Sequence, residues 1–182
     1  SDMDMSKFSY GKATADTGRA AYEALQAAVS IIQNGLGSCL VTTPVSSKAL
    51  EKAGYEERSV FSLLSRFASS SRLINMIVAG KMNIFGLTHR RALSDALSSL
   101  TRENIIEALV SIDALKVSRF FDKEKPIAVC SLNPGDRDGE WTGPEESGII
   151  IPAIEIAKRI GINVVGPISA ESLFRHAAKG EY

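Results

Sequence analysis

Residues 126–174, read as PIAVCSLNPGDRDGEWTGPEESGIIIPAIEIAKRIGINVVGPISAESLF, constrain the fold more than any other part of the chain. Residues 126–132 form a short, mostly apolar run that reads as a buried strand, and it empties into the polar, turn-forming loop 133–143. After the loop, Pro144 suits a first helical position and Glu145 and Glu146 suit the positive end of the helix dipole. Ile149, Ile150, Ala153, Ile154 and Ala157 then recur as one apolar stripe. Pro152 has no amide hydrogen to donate, so the pattern predicts either a kink there or a regular helix that begins near that residue. Lys158 and Arg159 complement the C-terminal end and Gly161 fits a left-handed cap. Residues 162–165 read as a β-branched strand closed by Gly166 and Pro167. Strand, helix and strand in that order predict a parallel crossover, which leaves the 133–143 loop at the carboxyl end of the first strand, where α/β folds hold ligands.

The rest of the chain supports the same class. Residues 16–34 carry alanine, leucine, valine and isoleucine at helical period, with Asp16 or Thr17 as cap and Gly35 as stop. Residues 38–43 read as a short strand ended by Pro44, and Ser46 caps a short helix that stops at Gly54. Thr42, Thr43, Ser46, Ser47 and Lys48 thereby gather near one strand end. Residues 58–71 are helical in spacing, and 73–79 and 83–88 form a hairpin with its turn at 80–82. Thr101 caps a long helix running to about Phe121. An antiparallel hairpin beside a parallel crossover predicts a mixed, mostly parallel sheet.

With 21 basic and 21 acidic residues the formal net charge is zero, so nucleic acid and anionic membrane are not the default partners. No apolar run reaches the ~20 residues that span a bilayer, and the N-terminus has no signal-peptide core. Cys39 and Cys130 each sit in an apolar run and read as buried, reduced thiols, which points to the cytoplasm. GxGxxG, GxxxxGK[ST], GxSxG and HExxH are all absent from the sequence. His89 stands alone after the second hairpin strand, where the residues leave both a structural and a ligating role open. Asp136, Asp138 and Glu140 alternate in the loop, as solvated turn acids or as oxygen ligands for a cation, though without a full calcium-loop signature.

TTPVSSKALEKAG, LTHRRALSDALSSLT, IAVCSLNPGDRDGEWTGPEE, IIPAIEIAKRIGINVVGP and SAESLF follow the order seen in 4-hydroxythreonine-4-phosphate dehydrogenases, and the chain resembles that family from Gly11 to Tyr182. The resemblance implies an α/β/α sandwich similar to isopropylmalate and isocitrate dehydrogenases, in a two-domain homodimeric subunit. The opening SDMDM reads as a tag remnant, with residues 1–10 a flexible start, and the resemblance assigns 11–182 to a single α/β unit from the central part of that subunit. It further implies oxidation of 4-phosphohydroxy-threonine, or of a related small phosphorylated or carboxylated hydroxy acid or diol, by NAD or NADP in pyridoxal phosphate synthesis. A divalent metal (Zn, Mg, Mn or Co) held by three histidines would polarise the reacting oxygens.

Residue by residue, His89 matches the first metal histidine, Gly135 stands where the second is expected and cannot ligate, and the third belongs to a YHDQ segment not found in these residues. The family's TGPxxK reads TTPVSS, so Ser47 replaces the lysine and Lys48 lies one place later; GHTE is absent, leaving Arg58 and Ser59 as a different anion contact; and PADT reads SAES, which retains Glu171 and Ser172. The candidate substrate-binding set is therefore Lys48, Arg58, Ser59, Asn133 and Glu171, with His89 for metal. The sheet that precedes GKATADTG and the segment carrying most nicotinamide contacts in the family have no counterpart among these residues. Two functions follow: a dehydrogenase fragment with altered substrate preference, or a catalytically inactive relative that serves as a binding or dimerisation module.

Overall fold

The computed structural model describes residues 8–57, 59–68, 73–88, 92–116, 121–135 and 143–182. Two compact units divide the chain, residues 1–73 and 74–182.

In the first unit, α1 (Ala15–Gln33) begins earlier, by two or three residues, than Asp16 or Thr17 as cap would place it. Thr14 is the N-cap, and its hydroxyl and that of Thr17 each satisfy the other's backbone amide in a capping box. Gly35, at φ 73°, ends the helix as expected. Ser46 caps α2 (Ser47–Lys52), and Ser59 with Ser62 forms a second capping box at the start of α3 (Val60–Phe67). Leu25, Leu50 and Leu63, one from each helix, make the buried core. Tyr22 closes it by stacking on Tyr55 at 3.9 Å and meeting Phe67 edge-on at 5.0 Å. Gly18 faces the backbone of Ala49 so closely that any side chain there would collide with it.

Residues 38–43 differ from expectation. They are irregular, without a ladder partner among the described residues, and Val41 is 91% exposed. β-Branched composition favours extended backbone, but a strand also needs a neighbour to bond. Cys39 is correspondingly exposed, not the buried thiol its apolar setting suggested, whereas Cys130 is half-buried and burial raises its thiol pKa.

The second unit opens with the expected hairpin, β1 (Met76–Ala79) antiparallel to β2 (Met82–Phe85). A short helix not anticipated from sequence, α4 (Leu93–Ser98), precedes α5 (Arg102–Leu115), whose N-cap is Thr101 as expected. Residues 117–120, where that helix was expected to continue, lie outside the described residues. β3 (Ile127–Cys130) pairs in parallel with β4 (Val164–Ile168), which confirms the crossover. Among the described residues the hairpin and the parallel pair are separate two-stranded sheets, so the mixed sheet is not formed within them.

Between β3 and β4 the chain forms a π-helical turn (Glu146–Ile150) that leads into α6 (Ile151–Arg159). Pro152 thus sits in the first turn of the regular helix, the second of the two outcomes its missing amide allows. Ile150, Ala153, Ile154 and Ala157 are buried against Ile105 and Leu109 of α5 and Ile162 and Val164 at β4, so the predicted stripe is the core. β4 begins and ends later than expected, because Gly166 and Pro167 lie inside the strand. Gly166 has φ 129°, and a Cβ there would come within 2.5 Å of the Val129 carbonyl oxygen, so the glycine permits the close pass that continues the strand. Helix α7 (Ala170–Ala177) follows directly.

Candidate functional site

Because β3 and β4 run in parallel, the segments that leave them open at the same end of the pair. The Ser131 amide donates to the Ile168 carbonyl at 2.9 Å, tying the two exits together just beyond Cys130. Residues 131–135 emerge from β3, and the first turn of α7 with Glu171 emerges from β4. Ligands of open α/β sheets bind at this end.

Glu146 organises it. Its side chain is fully buried, the one charged residue so placed among the described residues. Oε1 accepts the backbone amides of Leu132 at 2.8 Å and Asn133 at 2.7 Å, and Oε2 accepts Nδ2 of Asn133 at 2.9 Å. Nδ2 also donates to Oε2 of Glu145 at 2.7 Å. Burial pushes the Glu146 carboxyl up, but the hydrogen bonds from Asn133 and Leu132 outweigh it and hold the group below the ordinary carboxylate range. A charged, buried carboxylate thereby takes the place of water for a loop that leaves a strand. Gly143 lies against the Asn133 carboxamide and the Glu145 carboxylate, where a Cβ would collide with both.

A second contact secures the turn that presents Glu146. Pro152 cannot donate to the carbonyl four residues earlier, that of Gly148. Arg102, at the start of α5, donates to that oxygen through Nε at 2.9 Å and Nη2 at 2.7 Å.

Of the residues singled out in the sequence, Asn133 and Glu171 share the carboxyl end of the parallel pair. Asn133 is half-buried and Glu171 is exposed. Lys48 and Ser59 belong to the first unit. Lys48 is exposed in the first turn of α2, and the Ser59 hydroxyl is engaged by the Ser62 amide at 3.1 Å. Thr42, Thr43 and Ser46 line an open groove of about 680 Å³ against α1. Arg58, His89, Asp136, Asp138 and Glu140 lie outside the described residues.

Sequence reasoning used Glu146 only as a helix-dipole partner and did not single out Arg102. The available signals were two acids about two turns ahead of a helix-borne proline, and a proline whose missing amide must orphan a carbonyl.

Among the described residues there is no group of three His, Cys, Asp or Glu side chains that could hold a metal ion. Gly135 offers no ligand, and the Glu145 and Glu146 carboxylates are engaged by Asn133 and the backbone, so the described residues do not fit the divalent metal that the resemblance implies.

A model of the family described as "Pyridoxal phosphate biosynthetic protein PdxA" matches residues 1–182. The chain belongs to the PdxA family. It is 32% identical, over 182 residues, to a 4-hydroxythreonine-4-phosphate dehydrogenase of Geobacter metallireducens, covering 100% of this chain and 53% of that protein. It is also 32% identical, over 181 residues, to a protein of Halalkalibacterium halodurans with the provisional name D-threonate 4-phosphate dehydrogenase, again covering 100% of this chain and 54% of the other. The chain therefore spans about half the length of the curated relatives it matches. Solved structures agree. A 4-hydroxythreonine-4-phosphate dehydrogenase from Klebsiella pneumoniae superposes with a TM-score of 0.83 at 22% identity over 97% of this chain and 53% of that one, a likeness of fold. One from Burkholderia phymatum does so with a TM-score of 0.80 at 25% identity, over 99% and 55%. This PdxA chain is thus a mixed α/β protein with helices and small sheets, and no helix of its described residues is long and apolar enough to cross a membrane.

Proposed function

We propose that the chain is the central part of a dehydrogenase of the PdxA family that oxidises a small phosphorylated hydroxy acid with NAD or NADP. The observation that carries this reading is the family match along the whole chain, with 32% identity to a 4-hydroxythreonine-4-phosphate dehydrogenase. Substrates of the class named by the relatives, 4-hydroxythreonine 4-phosphate and D-threonate 4-phosphate, carry hydroxyl, carboxylate and phosphate groups. Asn133 and Glu171 at the carboxyl end of the parallel pair suit the hydroxyl end of such a molecule. Residues 11–182 would then be the central part of an α/β/α subunit similar to isopropylmalate dehydrogenase. The subunit would be cytoplasmic and homodimeric, with the central helices and the hairpin near Lys81 at the dimer surface. A bound nicotinamide would supply the hydride acceptor, and this chain's contribution would be to hold the alcohol. His89 alone stands for the metal site within these residues, one imidazole where the resemblance implies three.

A second reading is an inactive relative that kept the fold as a binding module. Gly135, at the position of a metal-binding histidine, favours it.

Thermal shift and calorimetry with each of the two phosphorylated acids, with and without NAD, test both readings. The first expects binding of at least one acid and NAD reduction by the polypeptide in which the chain naturally occurs. Binding without turnover in that polypeptide favours the second, and failure to bind either acid overturns the dehydrogenase reading.

A further inference from the structure

We infer that Glu146 is a positioning residue that fixes the Asn133 carboxamide so that it meets a ligand only as a hydrogen-bond acceptor, selecting a hydroxyl or ammonium group over a phosphate or carboxylate. The inference deepens the dehydrogenase reading and rests on it for the identity of the ligand. It is carried by geometry. A primary carboxamide has two hydrogens on nitrogen, and both are spent on carboxylates, one on Glu145 Oε2 at 2.7 Å and one on Glu146 Oε2 at 2.9 Å. The reverse orientation would set the carbonyl oxygen against two carboxylates, which settles which end of the group faces the acids. Oδ1 is the remaining polar atom, and the planar group turns it away from both.

The anchoring is stiff. Glu146 is fully buried, and its Oε1 holds the backbone amides of Leu132 and Asn133, so the side chain and the backbone of Asn133 are fixed by the same carboxylate. Gly143 packs on the carboxamide from the loop side, where a Cβ would displace it. Glu146 stays ionised below the ordinary carboxylate range and is therefore acceptor-only, leaving Asn133 no alternative orientation. Two neighbouring carboxylates also repel an anion approaching Asn133. Asn133 would therefore meet the hydroxyl-bearing carbons of a phosphorylated hydroxy acid, and the anionic ends must be held elsewhere.

Glu146→Gln separates this role from simple support. Glutamine Oε1 keeps the bonds from the Leu132 and Asn133 amides, but its Nε2 replaces Oε2 and sets a donor against Asn133 Nδ2. The carboxamide then lies between a donor and the Glu145 carboxylate, and no single orientation satisfies both. The test is NMR of the ¹⁵N-labelled chain together with calorimetry using D-threonate 4-phosphate and inorganic phosphate as probes. The wild-type chain is expected to show both Asn133 side-chain hydrogens shifted downfield and protected from exchange, with protection falling about tenfold in Glu146→Gln while backbone dispersion is retained. Affinity for D-threonate 4-phosphate is expected to fall about tenfold in the variant, and affinity for inorganic phosphate to stay unchanged. Exposed, rapidly exchanging Asn133 hydrogens in the wild type, or a folded Glu146→Gln chain with unaltered hydrogens, overturns the inference. So does an equal loss of affinity for both probes. A wild-type chain with the protected hydrogens that binds neither probe overturns the dehydrogenase reading and upholds the positioning of Asn133. Should Glu146→Gln fail to fold, Glu145→Gln places the same donor on the other hydrogen, and the same outcomes decide.

Discussion

At the scale of single residues, Glu146 shows how a buried charge is tolerated. Desolvation alone would raise its pKa, yet three hydrogen bonds from Leu132 and Asn133 keep it below the ordinary carboxylate range. The sign of its linkage to folding follows. The unfolded chain returns the carboxyl to its ordinary value of about 4.3, so its contribution to stability is full above about pH 4.3 and is lost as pH falls through the lowered folded value. Urea denaturation at several pH values is expected to show this acid loss in the wild type and a shallower one in Glu146→Gln; identical acid limbs would contradict the assignment. Glu146→Ala instead leaves two backbone amides without their acceptor and is expected to cost about 3 kcal/mol, read from the shift in denaturation midpoint. The sequence showed Asn133 as a site candidate because turn-rich loops after strands hold function. It did not show Glu146, because thirteen positions separate it from the Asn133 amide it accepts, and such pairings are invisible to local pattern.

At the scale of elements, the π-helical turn and α6 depend on an exchange between α5 and Pro152. The proline leaves the Gly148 carbonyl without its helical donor, and Arg102 supplies two N–H groups in its place. Arg102→Ala is expected to destabilise the chain by about 1 kcal/mol, the modest figure reflecting the exposure of Arg102. In a Pro152→Ala background the new amide can reach Gly148, so the same Arg102→Ala change is expected to cost less. Equal costs in the two backgrounds, measured as a double-mutant cycle, would show that Arg102 acts elsewhere. The apolar stripe of α6 was legible because helical period and burial coincide there. The start of the regular helix was narrowed only to two outcomes, since a proline's local chemistry permits both and packing against α5 selects one.

At the scale of the whole molecule, the first strand of the hairpin in the second unit is open to solvent. Met76, Ile77, Val78 and Ala79 are all exposed, Ile77 by 57% and Val78 by 64%. An apolar strand so exposed is a candidate contact surface. If it is the homodimer surface proposed above, Val78→Lys lowers the self-association measured by light scattering or sedimentation, with far-UV circular dichroism unchanged; an unaltered association constant would remove the hairpin from that interface.

The sequence by itself determined the α/β class, the parallel crossover, the hairpin, the helix-capping residues Ser46 and Thr101 and the stripe that becomes the core of the second unit. It also carried the family, through motifs spread along the whole chain. These features follow from periodicity and from capping and turn chemistry, which act over a few residues. Tertiary structure alone decided that residues 38–43 lack a ladder partner among the described residues and leave Cys39 exposed, because a strand requires a neighbour to accept its backbone bonds. It alone carried β4 through Gly166 and Pro167, because the absence of a Cβ matters only once Val129 lies against it. And it alone joined Glu146 to Asn133, since the desolvation that gives a buried carboxylate its hold on two backbone amides arises only when the chain has closed around it.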